Sequence, residues 1–262
     1  MDIHCIGTGG GRFCLTTQQR ATGGFMIEHE DTSMYVDPGP GALVRGLDHG
    51  ITFGSVDALF ISHAHIDHYG DGEALIEAIT QGCKNDRGHL ITNEIVLEGQ
   101  SDTSGVLSSY HRNHIGQTSM IDAEDIVDLE PWSLTVTATD HKDIQTNGFC
   151  AEIEGTTIGY IPDTSYTDDL IPQYRDADYL IINTLRPVDK DWKGHLNLEE
   201  AVNLVETIEP EKAFLQHFGM NFVTSFRTQV EWLQDYDPAV PITLCSDMTT
   251  YSLEDQGLEQ FV

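Results

Sequence analysis

The amino-acid sequence predicts an α/β protein: two mixed β-sheets packed face to face with helices on their outer sides, an αββα sandwich. Three observations lead there. Short apolar runs rich in β-branched residues recur along the 262 residues, with Gly, Asp and Thr in the loops between them. βα alternation appears in both halves, at similar places relative to the His-rich segments. No Pro-, Gly- or Ser-rich linker divides the halves, so one domain spanning residues 1–262 is expected.

In chain order, strands are expected at residues 3–6, 25–28, 34–36, 56–61 and 90–97. Each is a short run such as Ala58-Leu59-Phe60-Ile61, dense in residues that suit a pleated, buried surface. The second half repeats the signal at 134–137, 149–153, 157–161, 179–182, 213–215 and 242–244. Helices are expected at 72–80, 198–208 and 226–233, where apolar residues recur at helical spacing. Asn197 with Glu200 three residues on is a capping pattern for the second helix, and Pro210 marks its stop. Residues 99–125 give no reading, although Tyr110-His111-Arg112-Asn113-His114 gathers polar groups that suit a lid. The glycines of residues 7–11 read as a tight loop bordering the site; they lack the Gly-Lys-Ser/Thr ending of a phosphate-binding loop.

Composition narrows the function. Thirteen Lys and Arg against 43 Asp and Glu leave a formal charge of −30. No apolar run approaches the roughly 20 residues that cross a bilayer, and the opening Met1-Asp2-Ile3-His4 carries an acid where a secretory leader carries positive charge. A cytoplasmic protein without a membrane partner is expected. The five cysteines are odd in number, scattered and never spaced C-x-x-C, so they read as reduced and mostly buried. Acids spread over the whole chain point to a solvated surface adapted to a salt-rich cytoplasm, where screening contracts repulsion to about 3 Å at molar salt. Any phosphate affinity must then be local, and Arg12, Arg20, Arg112 and Lys142 are the cations that could supply it.

The chemistry concentrates in Ser62-His63-Ala64-His65-Ile66-Asp67-His68-Tyr69-Gly70-Asp71, directly after the strand at 56–61 and before a helix. Strand ends followed by loops are where α/β folds build sites. Three imidazoles and a carboxylate within six residues suit Zn²⁺ or a similar divalent ion. His63 and His65 project to the same side of an extended stretch and can reach one ion. Asp67 and His68 follow the turn and can face a second. Further strand ends offer His141, Asp163 and His217.

HAHIDHYGD, TDHKDIQTNGF, YIPDTSY and LQHFG resemble the successive motifs of the metallo-β-lactamase-fold hydrolases, and Tyr35-Val36-Asp37-Pro38-Gly39 resembles the family's first motif. The resemblance runs from about residue 3 to about residue 247. It implies His63, His65 and His141 on one metal, Asp67, His68 and His217 on the other, Asp163 bridging, and Asp37 orienting the ligands from behind. The implied cofactors are two divalent ions, Zn²⁺ foremost with Mn²⁺ as the alternative. A hydroxide bridging two ions about 4 Å apart is a nucleophile at neutral pH.

Within the family, His65 stands where the di-iron oxidoreductases have Glu, and Cys245 lies too far past His217 to resemble the thiolate ligand of true β-lactamases. The 45 residues after His217 leave little room for the helical domain of glyoxalase II. Lys193-Gly194-His195-Leu196-Asn197 resembles instead the additional His motif of the phosphodiesterase branch, seen in tRNase Z and the cyclic phosphodiesterase of phosphonate breakdown. That resemblance makes His195 a phosphate contact and proton donor, so Asp67 and His195 are the expected catalytic residues. The 22 residues from His141 to Asp163 exclude the long tRNase Z arm, and the structural zinc cysteines of the phosphonate enzyme have no counterpart. The expected function is phosphodiester cleavage by a dinuclear hydrolase: an exonuclease-like enzyme on RNA or single-stranded DNA ends, or a small-molecule phosphodiesterase. Lactone or thioester hydrolysis is the enzymatic rival, a metal-holding regulator or scaffold the non-enzymatic one. A homodimer is what many relatives form.

Overall fold

The computed structural model describes residues 1–101, 104–142 and 144–253. The first half runs β1 (Asp2–Gly7), α1 (Gly11–Thr17), β2 (Gly24–His29), β3 (Thr32–Val36), α2 (Ala42–His49), β4 (Ala58–Ile61), α3 (Ile66–Tyr69), α4 (Gly72–Ile79), β5 (His89–Thr92), α5 (Glu94–Glu98), α6 (Ser109–Arg112) and β6 (Gln117–Met120). The second runs β7 (Ile126–Leu129), β8 (Trp132–Ala138), β9 (Asn147–Ile153), β10 (Thr156–Ile161), α7 (Leu170–Tyr174), β11 (Tyr179–Asn183), α8 (Leu198–Ile208), β12 (Lys212–Gln216), α9 (Met220–Thr224), α10 (Phe226–Tyr236) and β13 (Ile242–Leu244), before β14 (Thr249–Ser252) returns to pair with β1.

Two seven-stranded mixed sheets result, in the orders β14-β1-β2-β3-β4-β5-β6 and β13-β12-β11-β10-β9-β8-β7. Each is parallel at one end, through β3-β4-β5-β6 and β10-β11-β12-β13, and antiparallel at the other. This is the expected αββα sandwich. The period of two along each strand distributes its side chains between layers. Phe60 of β4, Ile181 of β11 and Phe214 of β12 enter the core between the sheets, together with Phe25, Phe149 and Tyr160. Their neighbours Leu59 and Ile61 face outward under α4, where Leu75, Ile76 and Ile79 cover them. Leu180, Ile182 and Leu215 do the same under α8 and α10. Strands buried on both faces must be apolar throughout, which is why these runs were continuous in sequence.

The expectation of one strand over 90–97 is corrected. β5 stops at Thr92, and the Asn93 side chain accepts the N–H of Val96 at 3.2 Å, capping α5. Apolar content alone could not separate that strand from the helix after it. Several further elements lie where none was expected, among them β6, exposed along most of its length, α1 with one buried residue, α2, β7, β14 and the short helices α3, α6, α7 and α9. Among the described residues no helix is long and apolar enough to cross a membrane.

Candidate metal centre

Six strands end on one edge of the sandwich, and each delivers a polar side chain to the same place. β3 leads to Asp37; β4 runs into Ser62, His63 and His65, with Asp67 and His68 on the single turn of α3; β8 leads to His141, β10 to Asp163, β11 to Asn183 and β12 to His217. Asp37 and His217 take left-handed backbone, φ 51° and 62°, which swings each side chain off its strand direction. Asp and His tolerate that region better than most residues.

The side chains form two groups. In one, His65 Nδ1 lies 2.9 Å from His63 Nε2 and 3.1 Å from His141 Nε2, with Asp163 Oδ2 4.0 Å from His63 Nε2. In the other, Asp67 Oδ2 lies 3.9 Å from His68 Nε2 and 3.7 Å from His217 Nε2. Within each group the ligand atoms all fall within 4.8 Å of one another. Asp163 stands between them, Oδ2 3.5 Å from His68 Nε2 and Oδ1 3.3 Å from His217 Nε2, while Asn183 donates to Oδ1 at 3.0 Å.

Hydrogen bonds behind the rings set which nitrogen faces the centre. The Ser62 hydroxyl donates to Asp37 at 2.7 Å, so only its lone pairs remain for His63 Nδ1 at 3.0 Å, and His63 must carry its proton there. His141 Nδ1 donates to the Gly194 carbonyl at 2.6 Å, and His68 Nδ1 to Asp37 at 2.8 Å. In all three rings Nε2 is left for the centre. Partners of this kind fix the orientation and basicity of metal-binding imidazoles.

Electrostatics divide the groups. Burial pulls His63 well below the ordinary imidazole range, lowers His65, and lowers His141 to about 4. Burial also opposes charge on His68, but Asp37, Asp163 and Asp67 together hold it well above that range. Asp163 is held well below the usual carboxylate range against its burial by His217, His195 and His68. Asp67 is likewise lowered against burial by His68 and His217, and its Oδ2 accepts the Gly11 N–H at 2.6 Å.

The residues fit a divalent metal. His68 Nε2, His217 Nε2 and His195 Nδ1 are buried without a hydrogen-bond partner, and such an atom costs about 1–3 kcal/mol where nothing satisfies it. In the three-His group, His63 Nε2 and His141 Nε2, whose rings carry their protons on Nδ1, both face His65 Nδ1. A cation would satisfy both groups, and imidazole with carboxylate is the donor set of Zn²⁺ and its neighbours.

His195, on the loop between β11 and α8, reaches the same place: its Nδ1 is 3.3 Å from Asp163 Oδ2, and its ring centre is 4.8 Å from that of His141. Asp37, His63, His65, Asp67, His68, His141, Asp163, His195 and His217 are therefore gathered in one centre. Sequence reasoning assigned no role to Asn183, Ser62 or Tyr160, whose hydroxyl donates to Asp37 at 2.6 Å; Ser62 lies inside the His-rich segment and Tyr160 inside YIPDTSY, where the ligand types beside them draw the reading. It also missed the role of Gly10: a Cβ there would collide with the His217 imidazole. The glycine loop thus packs against a candidate ligand.

Two other expectations change. Arg20 points inward, donating to Thr8 Oγ1 at 2.6 Å and the Cys245 carbonyl at 2.7 Å over the Phe226 ring; it braces the glycine loop and is not free for phosphate. Residues 110–114 belong to the region of α6, where His111 meets Glu73 at 3.2 Å and Glu77 at 3.1 Å, and Arg112 meets Glu98 at 2.7 Å. Those ties pin the segment to α4 and α5.

A beta-lactamase superfamily domain matches residues 32–218, which include every candidate ligand. The chain belongs to that superfamily, and its fold is that of the metallo-hydrolases. An uncharacterised protein of Methanocaldococcus jannaschii is 36% identical over 235 residues, 89% of this chain and 88% of its own length. The metallo-β-lactamase fold protein YhfI of Bacillus subtilis superposes with a TM-score of 0.74 at 21% identity, over 95% of this chain and 98% of that one. The short form of human tRNase Z does so at 0.69 and 19%, over 96% and 99%, and a PhnP-family diphosphatase at 0.69 and 19%, over 97% and 98%.

Proposed function

We propose that this chain is a dinuclear metal-dependent hydrolase of phosphodiesters, with His63, His65 and His141 holding one ion, Asp67, His68 and His217 the other, and Asp163 shared. Bound there, divalent ions such as Zn²⁺ or Mn²⁺ would supply an activated water and neutralise charge on a phosphate. The observation that carries the choice of substrate is His195. Its ring stands beside the shared carboxylate, and its side chain keeps 12% exposure, on the part-exposed side of the cluster with His65 and Asp67. An imidazole so placed can donate a hydrogen bond to a phosphate oxygen and protonate a departing alkoxide. A tRNase Z and a PhnP-family diphosphatase sharing this fold support the same reading.

The span between His141 and Asp163 carries β9 and β10, joined through Glu154 and Gly155 with φ of 51° and 86°. That is a two-residue hairpin of the primed type, without an inserted arm. The substrate is then a short or single-stranded end of RNA or DNA, or a small diester, engaged at the centre itself.

The test is hydrolysis of bis(p-nitrophenyl) phosphate and of 5′-labelled RNA and DNA oligonucleotides with Zn²⁺ or Mn²⁺ in high KCl. Turnover is expected, falling about 100-fold or more in His195→Ala with metal content intact. Full metal loading without diester turnover, alongside cleavage of lactones or thioesters, would replace this reading with the carboxyl-ester one.

A further inference from the structure

His195 ends a tight turn whose first residue is Trp192. The His195 N–H donates to the Trp192 carbonyl at 3.0 Å, and the two residues form an antiparallel bridge. Partners across such a bridge project their side chains to the same face. Trp192 therefore stands on the side of the turn from which His195 reaches the centre, yet its indole is 53% exposed. The other tryptophans differ: Trp132 is buried in the core between the sheets, and Trp232 packs against the cluster under α10.

The turn is held rigidly. The Gly194 carbonyl accepts from His141 Nδ1, the Gly194 N–H donates to Ser165 Oγ at 2.8 Å, and Gly194 has φ 84°, which only glycine adopts without strain. Asp191 accepts from the Asn197 side chain at 2.8 Å, tying the turn to the cap of α8. The indole is thus fixed relative to a candidate ligand. Lys142 Nζ lies 5.2 Å from its ring centre and Arg186 Cζ 5.5 Å. Lys190 and Lys193 flank Trp192 in sequence, so two of the 13 cations of a chain with formal charge −30 lie over this indole and two more border its turn along the chain.

We infer that Trp192 is a stacking platform for a planar ring carried by the substrate, flanked by Lys142 and Arg186 as contacts for its phosphates. The substrate class this adds to the phosphodiester reading, on which it rests, is a nucleotide ester. Even with Lys142 and Arg186 over its ring, Trp192 is 53% exposed; a stacked base would cover that apolar surface and draw the two cations to its phosphates, and every nucleobase offers a matching π-face. The cations serve two ends: they attract a phosphate into an acidic surface, and they stiffen the indole before the ring arrives.

The experiment compares two esters with the same leaving group, thymidine 5′-(p-nitrophenyl) phosphate and methyl p-nitrophenyl phosphate, using the metal-loaded protein. The ratio of kcat/KM between nucleoside and methyl ester is expected to exceed about tenfold. It should fall at least about fivefold in Trp192→Ala, through KM, and recover in Trp192→Phe, since stacking on one base is worth at least that much. A ratio unchanged in Trp192→Ala overturns the platform while leaving the phosphodiester reading intact. If neither ester turns over, that reading fails, and thymidine 5′-phosphate still decides the platform. Quenching of tryptophan fluorescence that disappears in Trp192→Phe upholds it, and absence of quenching in the native chain overturns it.

Discussion

Nδ1 of His68 stands 2.8 Å from Oδ2 of Asp37, both side chains buried at the edge of the sandwich. The same carboxylate accepts the N–H of Ser62 at 2.7 Å, the Ser62 hydroxyl at 2.7 Å and the Tyr160 hydroxyl at 2.6 Å. Through Ser62 it also sets the tautomer of His63. One residue at the end of β3 therefore orients an imidazole in each group of candidate ligands. In Asp37→Asn one oxygen becomes an amide nitrogen facing donors. Metal affinity, measured by competition with a chromogenic chelator, should fall about 10- to 100-fold. Affinity equal to the native protein's would reduce Asp37 to a structural residue.

The two groups should load with different proton balances. At neutral pH the metal-free protein holds His63, His65 and His141 neutral, because burial lowers all three, while three carboxylates keep His68 charged. An ion binding His68 Nε2 must displace a proton; one binding the three-His group need not. Calorimetric titration in buffers of different ionisation enthalpy at pH 7 should show the native chain releasing about one proton more on full loading than His68→Gln, whatever proton the activated water gives up in both. Equal proton release in the two would show His68 neutral before the metal arrives.

The same shifts govern the metal-free fold, with opposite signs. His68, raised, stabilises it fully below about pH 6.5 and loses that contribution as pH rises through its folded value. His63, His65 and His141, lowered, act the other way: below about pH 6.5 the unfolded chain takes up protons the folded one refuses, and stability falls. Chemical unfolding of metal-free protein should therefore show a decline between about pH 6.5 and 4 imposed by the three neutral rings, the contribution of His68 being constant over that window. Stability unchanged over that window would mean the buried rings are not held neutral.

Much of the centre was legible because its chemistry is dense and local. His63, His65, Asp67 and His68 fall within six residues, and the others follow apolar strands that announce themselves. What stayed hidden acts through the backbone or through distant pairing. Asn183 is one polar residue at a strand end, indistinguishable in sequence from a cap. Gly10 matters because a ring from residue 217 lies against it, a contact no local pattern reveals. Arg20 looked free because a cation's partner, here a carbonyl and a hydroxyl across the fold, leaves no mark near it. Residues 90–97 were misread because strand and buried helix share the same apolar residues, and a single Asn decided where one became the other.

Gly10→Ala follows from that contact. The new methyl group would meet the His217 imidazole, and the loop cannot yield easily: the Gly9 N–H donates to the Ala21 carbonyl at 2.7 Å and the Gly10 N–H to the Phe218 carbonyl at 3.0 Å. His217 must move, so the group of Asp67, His68 and His217 should lose affinity while the three-His group keeps its own. Metal analysis after dialysis should fall from two ions per chain toward one. Two tightly held ions in the variant would show that the loop gives way and His217 stays.

The acidic surface makes the last prediction. Formal charge −30 is spread over the chain, and the Arg-to-acid pairs Arg87 with Asp57, Arg112 with Glu98 and Arg227 with Glu231 neutralise little of it. Exposed pairs of this kind are worth about 0–1 kcal/mol each. Unscreened repulsion therefore acts across the folded surface and is relieved on unfolding. The Debye length contracts from about 30 Å at 0.01 M salt to about 3 Å at 1 M, below the separation of most surface charges. Relief of even about 2 kcal/mol should raise Tm by about 4–8 °C in a chain of this size. KCl and NaCl should act alike and most of the gain should come below 1 M, because screening saturates. A gain that keeps growing with sulfate would instead be exclusion of the salt from the surface, and a flat Tm in KCl would show that the charges are spaced widely enough not to matter.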